Sequence, residues 1–326
     1  MLHIAAMVEQ CPDVAWLFTA GIDEACLVRA QGCSKPILAL AYSSNLFEEA
    51  INNTIDVAIY DHETVKALNA CAAQLKKKAR VHIKVDTGMS RLGVLPAEVV
   101  QFVENIQACY KNIEVYGIFT HLADTNNSDL SYTHNQLAQF DAVVEQLAGT
   151  GICSHVLASG SLFLPQKYPL VRVGTSLYGF WKSAVQKKRF QDKFPDLELQ
   201  PVLTWKTRII QIKTIPAGCS VGYNRTFFSS RQTTIAILPI GYADGYSREL
   251  SNKSHVIING CPAPILGMVT MNLTVVDITD IADVTVGTEV ILLGNYPGIT
   301  ATDLAQKLGT INNEIVTRIS PTIPRF

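Results

Sequence analysis

Between residues 14 and 173, short β-rich runs alternate with longer stretches of helical periodicity, and few folds accept such a pattern. Expected strands cover residues 14–19, 37–41, 56–60, 81–85, 115–120, 155–158 and 171–173. Helices are expected over 61–77, 96–110 and 133–148, the last with apolar residues at Leu137, Phe140, Val144 and Leu147. Repeated βα units imply a parallel sheet with helices over its outer face. A closed barrel of this kind needs eight strands, and seven are counted. Residues 2–10 read as a helix leading into the first run, so the missing unit should be the first. The expectation is an α/β fold, a (β/α)8-type barrel lacking its first strand.

The texture changes near Pro195. Residues 202–212, 233–239, 254–258, 264–266, 274–278 and 289–293 read as short strands between Gly, Pro and Asn turns, so an all-β domain should follow. Residues 183–199, rich in Lys and containing Pro195, read as the linker, which gives a barrel over 1–190 and a β domain over 191–326. The longest uncharged run, 254–276, contains Asn259-Gly260, Pro262, Pro264, Gly267 and Asn272, a hairpin signal instead of a membrane span. No internal repeat is evident.

Apolar residues make up 48% of the chain and charged ones 17%, enough for a large core and too few charges for a disordered chain. Lys and Arg number 27 against 28 Asp and Glu, so no positive excess exists to wrap a nucleic acid or bind an anionic membrane. The eight cysteines are scattered without metal-ligand spacing, and the first residues lack a signal-peptide pattern. Both point to the cytoplasm, and no metal is expected.

Chemistry concentrates where the expected barrel strands end. In the segment 81–93, VHIKVDTGMSRLG, alternation sets Val81, Ile83 and Val85 against His82, Lys84 and Asp86. One of these faces points into the barrel, where a lysine and an aspartate are costly unless paired. Gly88 and Gly93 bracket a turn able to return Arg91 over the C-terminal end of the strand, the end on which such barrels keep their active sites. His121 follows another strand. His155 opens the next, and Ser159-Gly160-Ser161 after it can present backbone N–H groups to a phosphate. Arg172 offers a permanent charge and Gly174 a close backbone approach. The β domain adds Val221-Gly222-Tyr223-Asn224-Arg225 and Gly241-Tyr242-Ala243-Asp244-Gly245-Tyr246, where tyrosines among glycines suit packing or turns as readily as catalysis. Basic and small residues on three rim segments favour an anionic ligand.

HIKVDTGMSRLGV, FTHLAD, VRVGTSLYG, VGYNRTF and LPIGYADGYSR, in that order, resemble alanine racemase over essentially the whole chain. The resemblance implies a pyridoxal 5'-phosphate enzyme that converts L-alanine to D-alanine for cell-wall peptidoglycan. It implies a homodimer in which each barrel mouth is completed by the partner's β domain. It makes Tyr223 a base at the substrate α-carbon and His121 the residue orienting that hydroxyl. A tyrosine acts as a base near neutral pH only where positive charge favours the phenolate. Arg172 would hydrogen-bond an unprotonated pyridine nitrogen. His155, Ser159, Gly174 and Thr175 would bind the cofactor, and Arg91, Met271 and Tyr242 the substrate. Lys84 matches a lysine often carbamylated to pair with Arg91.

The chain departs from that family at definite places. No segment matches the Lys-Ala-Asn-Ala-Tyr-Gly-His-Gly pattern that carries the Schiff-base lysine; residue 1 falls just after it in the family's order, so the 326 residues are expected to be an N-terminally truncated, inactive form. Asn313 replaces a pocket tyrosine, Asn272 an aspartate, and Met268 an arginine. The resulting pocket should accept serine beside alanine. Two rival readings are a decarboxylase of the related fold, which would place an acid where Arg172 stands, and a non-catalytic homologue that binds pyridoxal phosphate.

Overall fold

Seven strands make one parallel sheet, each hydrogen-bonded to the next in chain order: β1 (Leu17–Thr19), β2 (Ile37–Ala39), β3 (Ile55–Ile59), β4 (Ala79–Lys84), β5 (Ile113–Phe119), β6 (Cys153–Ala158) and β7 (Leu170–Arg172). The computed structural model describes residues 2–41 and 45–326 and divides into two compact units, Met1–Val173 and Gly174–Phe326. Every expected barrel strand is present, with its ends moved by up to three residues. The connecting helices are α1 (Leu2–Glu9), α2 (Ile22–Ala30), α3 (Phe47–Asn52), α4 (His62–Gln74), α5 (Val99–Cys109) and α6 (Ser131–Gln146). Helix α4 begins where the Asp61 carboxylate accepts the Thr64 N–H at 2.7 Å, an N-cap that satisfies an otherwise orphan donor. It buries Val65, Leu68 and Ala72 against the sheet.

Two-residue periodicity divides each strand between two environments. On β3 and β4, Ile55, Val57, Ile59, Val81 and Ile83 join the apolar layer beneath the helices, where each buried aliphatic side chain contributes about 1.5–3 kcal/mol. The alternate residues Asp56, Ala58, His82 and Lys84 take the barrel interior, so the face of β4 expected to be polar is the inward one. The sheet curls far enough for the rings of Phe18 on β1 and His155 on β6 to lie 6.1 Å apart across that interior. Among the described residues, β1 and β7 are not paired with each other.

Registration between β4 and β5 slips once. Val81 pairs with Val115, and the next pair is His82 with Gly117, so Tyr116 is an extra residue on β5. Gly117 is required there: a β-carbon on it would stand 2.4 Å from Nδ1 of His82.

The second unit is built of antiparallel sheet. One sheet joins β9 (Gln211–Ile215), β12 (Thr233–Leu238) and β15 (Thr274–Asp277). A second joins β8 (Trp205–Arg208), β13 (His255–Ile258), β14 (Cys261–Pro264) and β16 (Glu289–Leu293), and a short hairpin pairs β10 (Ser220–Val221) with β11 (Phe227–Phe228). The Asn259-Gly260 hairpin forms as expected, both residues having positive φ between β13 and β14. The run expected as one strand over 202–212 is two, β8 and β9, in different sheets. The unit also carries helices that the sequence reading did not place: α7 (Ala184–Lys193), inside the expected linker, α8 (Ala301–Leu308) and α9 (Asn312–Thr317). No helix among the described residues is long and apolar enough to cross a membrane.

Candidate active site

The C-terminal ends of β4 to β7 carry most of the barrel's candidate residues. After β4, residues 86–94 form a loop closed at its base by Asp86 N–H to Val94 O and Val94 N–H to Lys84 O, both 2.9 Å. The Asp86 carboxylate accepts from the N–H groups of Gly88 at 3.0 Å and Ser90 at 2.9 Å, so it shapes the loop that holds Arg91 instead of pairing with Lys84. Gly93 has φ 139°, and a β-carbon on it would lie 2.6 Å from the Asp86 nitrogen. Helix α6 braces the rim. The Tyr132 hydroxyl donates to Gly88 O at 2.8 Å, and buried Gln136 donates to Thr87 Oγ1 and His121 O and accepts from the Ala123 N–H.

Inside the mouth, Lys84 and Arg172 approach the Phe119 ring at 5.9 and 5.3 Å from its centroid. Lys84 is buried, with no ion pair among the described residues. Burial, then the charges of Arg91 and Arg172, pushes its ammonium below the ordinary lysine value, with Asp86 opposing. An amine so placed is more readily neutral and nucleophilic. Arg172 ends β7. Burial lowers its pKa to about 10, which leaves it a cation at neutral pH.

Arg172 is held from behind. Nη1 donates to His155 Nδ1 at 2.7 Å and to His155 O at 3.0 Å, while Nη2 donates to Thr120 O at 2.7 Å and Val156 O at 2.9 Å. These bonds occupy four of the five N–H groups of a guanidinium, and Nε–H has no protein partner among the described residues. His155 is fully buried and stacks on Phe119 with ring centroids 5.0 Å apart. Its Nε2 lies 3.0 Å from His82 Nδ1, and His82 Nε2 lies 3.3 Å from Asp56 Oδ2. Asp56 is in turn gripped by Arg80, through Nε at 3.0 Å and Nη2 at 2.7 Å. Arg80 lies over the rings of Tyr116 and Trp16. Burial lowers the pKa of both histidines, that of His155 well below the ordinary value. The sequence reading passed over Asp56 and Arg80. A lone charge in the apolar run Ile55-Asp56-Val57-Ala58-Ile59 was the available signal.

In the second unit, Tyr223, Tyr242 and Met271 are all exposed, Tyr223 at 69%. Gly222, with φ 72°, turns the chain out of β10 into Tyr223. The loops of Tyr242 and Met271 are joined by Tyr242 N–H to Thr270 O at 3.1 Å and Ala243 N–H to Met271 O at 3.0 Å. Gly241 allows that approach, since a β-carbon would meet Thr270 O at 2.2 Å. Gly174 and Thr175 open the unit, Thr175 beginning a single 3-10 turn, and Asn313 is exposed on α9.

Two sequence families match the chain, "Alanine racemase, N-terminal domain" over residues 1–181 and "Alanine racemase, C-terminal domain" over 202–326. The chain belongs to the alanine racemase family. It is 40% identical over 319 residues to the alanine racemase of Symbiobacterium thermophilum, covering 95% of this chain and 82% of that one. It is 41% identical to that of Clostridium perfringens, covering 95% and 81%. Among solved structures it resembles alanine racemase of Clostridium difficile, with TM-score 0.90 at 34% identity over 98% of this chain and 83% of that one. The same enzyme in complex with cycloserine matches with TM-score 0.87 at 32% identity, over 99% and 83%. As a member of this family the chain is an isomerase that interconverts the enantiomers of alanine. The decarboxylase reading is not favoured, and a cation, Arg172, stands where it called for an acid.

Proposed function

We propose that this member of the alanine racemase family works with pyridoxal 5'-phosphate at the C-terminal mouth of the barrel, in a homodimer whose sites are shared. The observation that carries this reading is Arg172, a permanent cation fastened by four hydrogen bonds with its Nε–H left for a ligand. A donor that stays protonated at neutral pH suits an unprotonated ring nitrogen. Bound there, pyridoxal phosphate supplies an electron-withdrawing ring that makes the substrate α-proton acidic. Ser159, at the end of β6, and Gly174 and Thr175, beyond β7, are the residues for its phosphate. His155, assigned to the cofactor on sequence, has both ring nitrogens engaged by protein and serves it by holding Arg172.

Arg91 and the backbone at Met271, with Tyr242 beside it, bind the substrate carboxylate. Lys84, once its neutral amine adds carbon dioxide and releases a proton, becomes an anionic carbamate able to pair with Arg91. Tyr223 of one protomer moves a proton at the α-carbon, its hydroxyl oriented by His121 of the other. Its exposure supports a role completed by another chain, since an isolated protomer leaves that hydroxyl in solvent.

Complementation tests the shared site. In polypeptides extended by the family's lysine-bearing segment, Tyr223→Phe and Arg172→Ala should each lose racemisation, by about 10²–10⁴-fold for removal of an acid–base group. Mixing and re-annealing the two should restore activity, because a heterodimer contains one unmutated site. No recovery in verified heterodimers would show that each protomer uses its own Tyr223.

A further inference from the structure

The chain of contacts behind Arg172 has only one arrangement of protons. A guanidinium has no lone pair to offer, so its 2.7 Å contact makes His155 Nδ1 an acceptor and puts that ring's proton on Nε2. His155 Nε2–H then donates to His82 Nδ1 at 3.0 Å, and His82 Nε2–H donates to Asp56 Oδ2 at 3.3 Å. A second proton on His82 would require His155 to accept at both nitrogens, which a neutral ring cannot do. All four groups lie at or below 6% exposure, so water offers no alternative partners. Arg80 Nη2 pairs with the carboxylate at the far end, 2.7 Å from Oδ2.

We propose that Asp56 and His82 are positioning residues for Arg172, acting through His155: the buried carboxylate sets the tautomers of both rings and thereby the orientation in which the guanidinium keeps Nε–H for its ligand. The tautomer lock is a property of the cofactor-free protein; only the identity of the ligand at Nε–H rests on the function proposed above. Replacing the carboxylate by an amide tests the direction of the chain. In Asp56→Asn, an amide oxygen facing His82 keeps the Arg80 Nη2 bond but turns the amide nitrogen against Arg80 Nε–H, which the carboxylate accepts at 3.0 Å. With the amide nitrogen facing His82 instead, every donor along the chain reverses, and a His155 Nδ1–H confronts Arg172.

Nitrogen-15 NMR of the imidazoles, on the 326-residue protein without cofactor at neutral pH, reads the lock directly. The expected wild-type spectrum has a protonated-type signal from Nε2 and a lone-pair-type signal from Nδ1 for both His82 and His155. Asp56→Asn should lose that pattern and gain Nδ1–H signals. Pyridoxine 5'-phosphate, which lacks the aldehyde and needs no lysine, should bind Asp56→Asn about tenfold more weakly than wild type. A wild-type Nδ1–H on either ring would overturn the proposal even if the variant failed to fold, as would an unchanged pattern in a folded Asp56→Asn. Locked tautomers that reverse in Asp56→Asn, with no pyridoxine 5'-phosphate bound by either protein, would uphold the relay and refute the cofactor assignment.

Discussion

Gly117→Ala should damage the barrel more than its size suggests. Its φ is not positive, so the backbone itself accepts alanine, and in a strand the change alone gains about 0.5–1 kcal/mol. The added carbon would sit 2.4 Å from His82 Nδ1, 2.7 Å from its Cε1 and 3.0 Å from Cys153 O. His82 cannot yield freely, being fully buried with Trp16 and Tyr116 ring centroids 5.3 and 5.5 Å away. Overpacking of this kind costs about 1–3 kcal/mol, and displacing Nδ1 strands the His155 Nε2–H donor for about 1–3 kcal/mol more. The net destabilisation is about 3 kcal/mol. With a urea m-value of about 2 kcal/mol/M, the midpoint should fall by about 1.5 M, followed by circular dichroism and by the fluorescence of Trp16. In a His82→Ala background the clash with the imidazole is gone, only the 3.0 Å contact with Cys153 O remains, and the same substitution should cost less than about 1 kcal/mol, a coupling of about 2 kcal/mol. Equal costs in the two backgrounds would refute the reasoning.

The lowered pKa of Lys84 means that the folded chain holds fewer protons than the unfolded one, so stability rises with pH from that lowered value up to the ordinary 10.5 and is flat outside the window. Lys84→Met should therefore stabilise bicarbonate-free protein at neutral pH, with the gain vanishing above 10.5; an equal gain at every pH would contradict the assignment. Labelled bicarbonate should give a carbamate carbon resonance in wild type that is lost in Lys84→Met. For specificity, Asn313 in place of a pocket tyrosine should bring kcat/KM for serine within about 200-fold of that for alanine, and a value thousands of times lower would exclude the idea.

Much of the fold was legible because its signals are local. Alternation along β4 separated Val81 and Ile83 from His82 and Lys84, and Asn259-Gly260 announced its hairpin. Arg91, His121, Ser159 and Arg172 could be placed on one rim simply because each follows or ends a strand. The helix α8 was equally legible in Thr300, Asp303 and Gly309, which form a capping box and a left-handed C-terminal glycine, but it was passed over. Other features have no local signature. Residues 202–212 look like one strand, yet Ile209 N–H bonds Thr288 O while Ile210 N–H bonds Ile237 O, and the chain passes from one sheet to the other between them. His82 and His155 are 73 residues apart, and whether they touch depends on strand order, on the slip at Tyr116 and on the space at Gly117. Sequence by itself determined which residues face inward and at which end of the barrel they stand, since side-chain direction follows from the two-residue period of a strand. Tertiary structure decided which of them meet, because only the registration of β3, β4, β5, β6 and β7 brings Asp56, His82, His155 and Arg172 within hydrogen-bond distance.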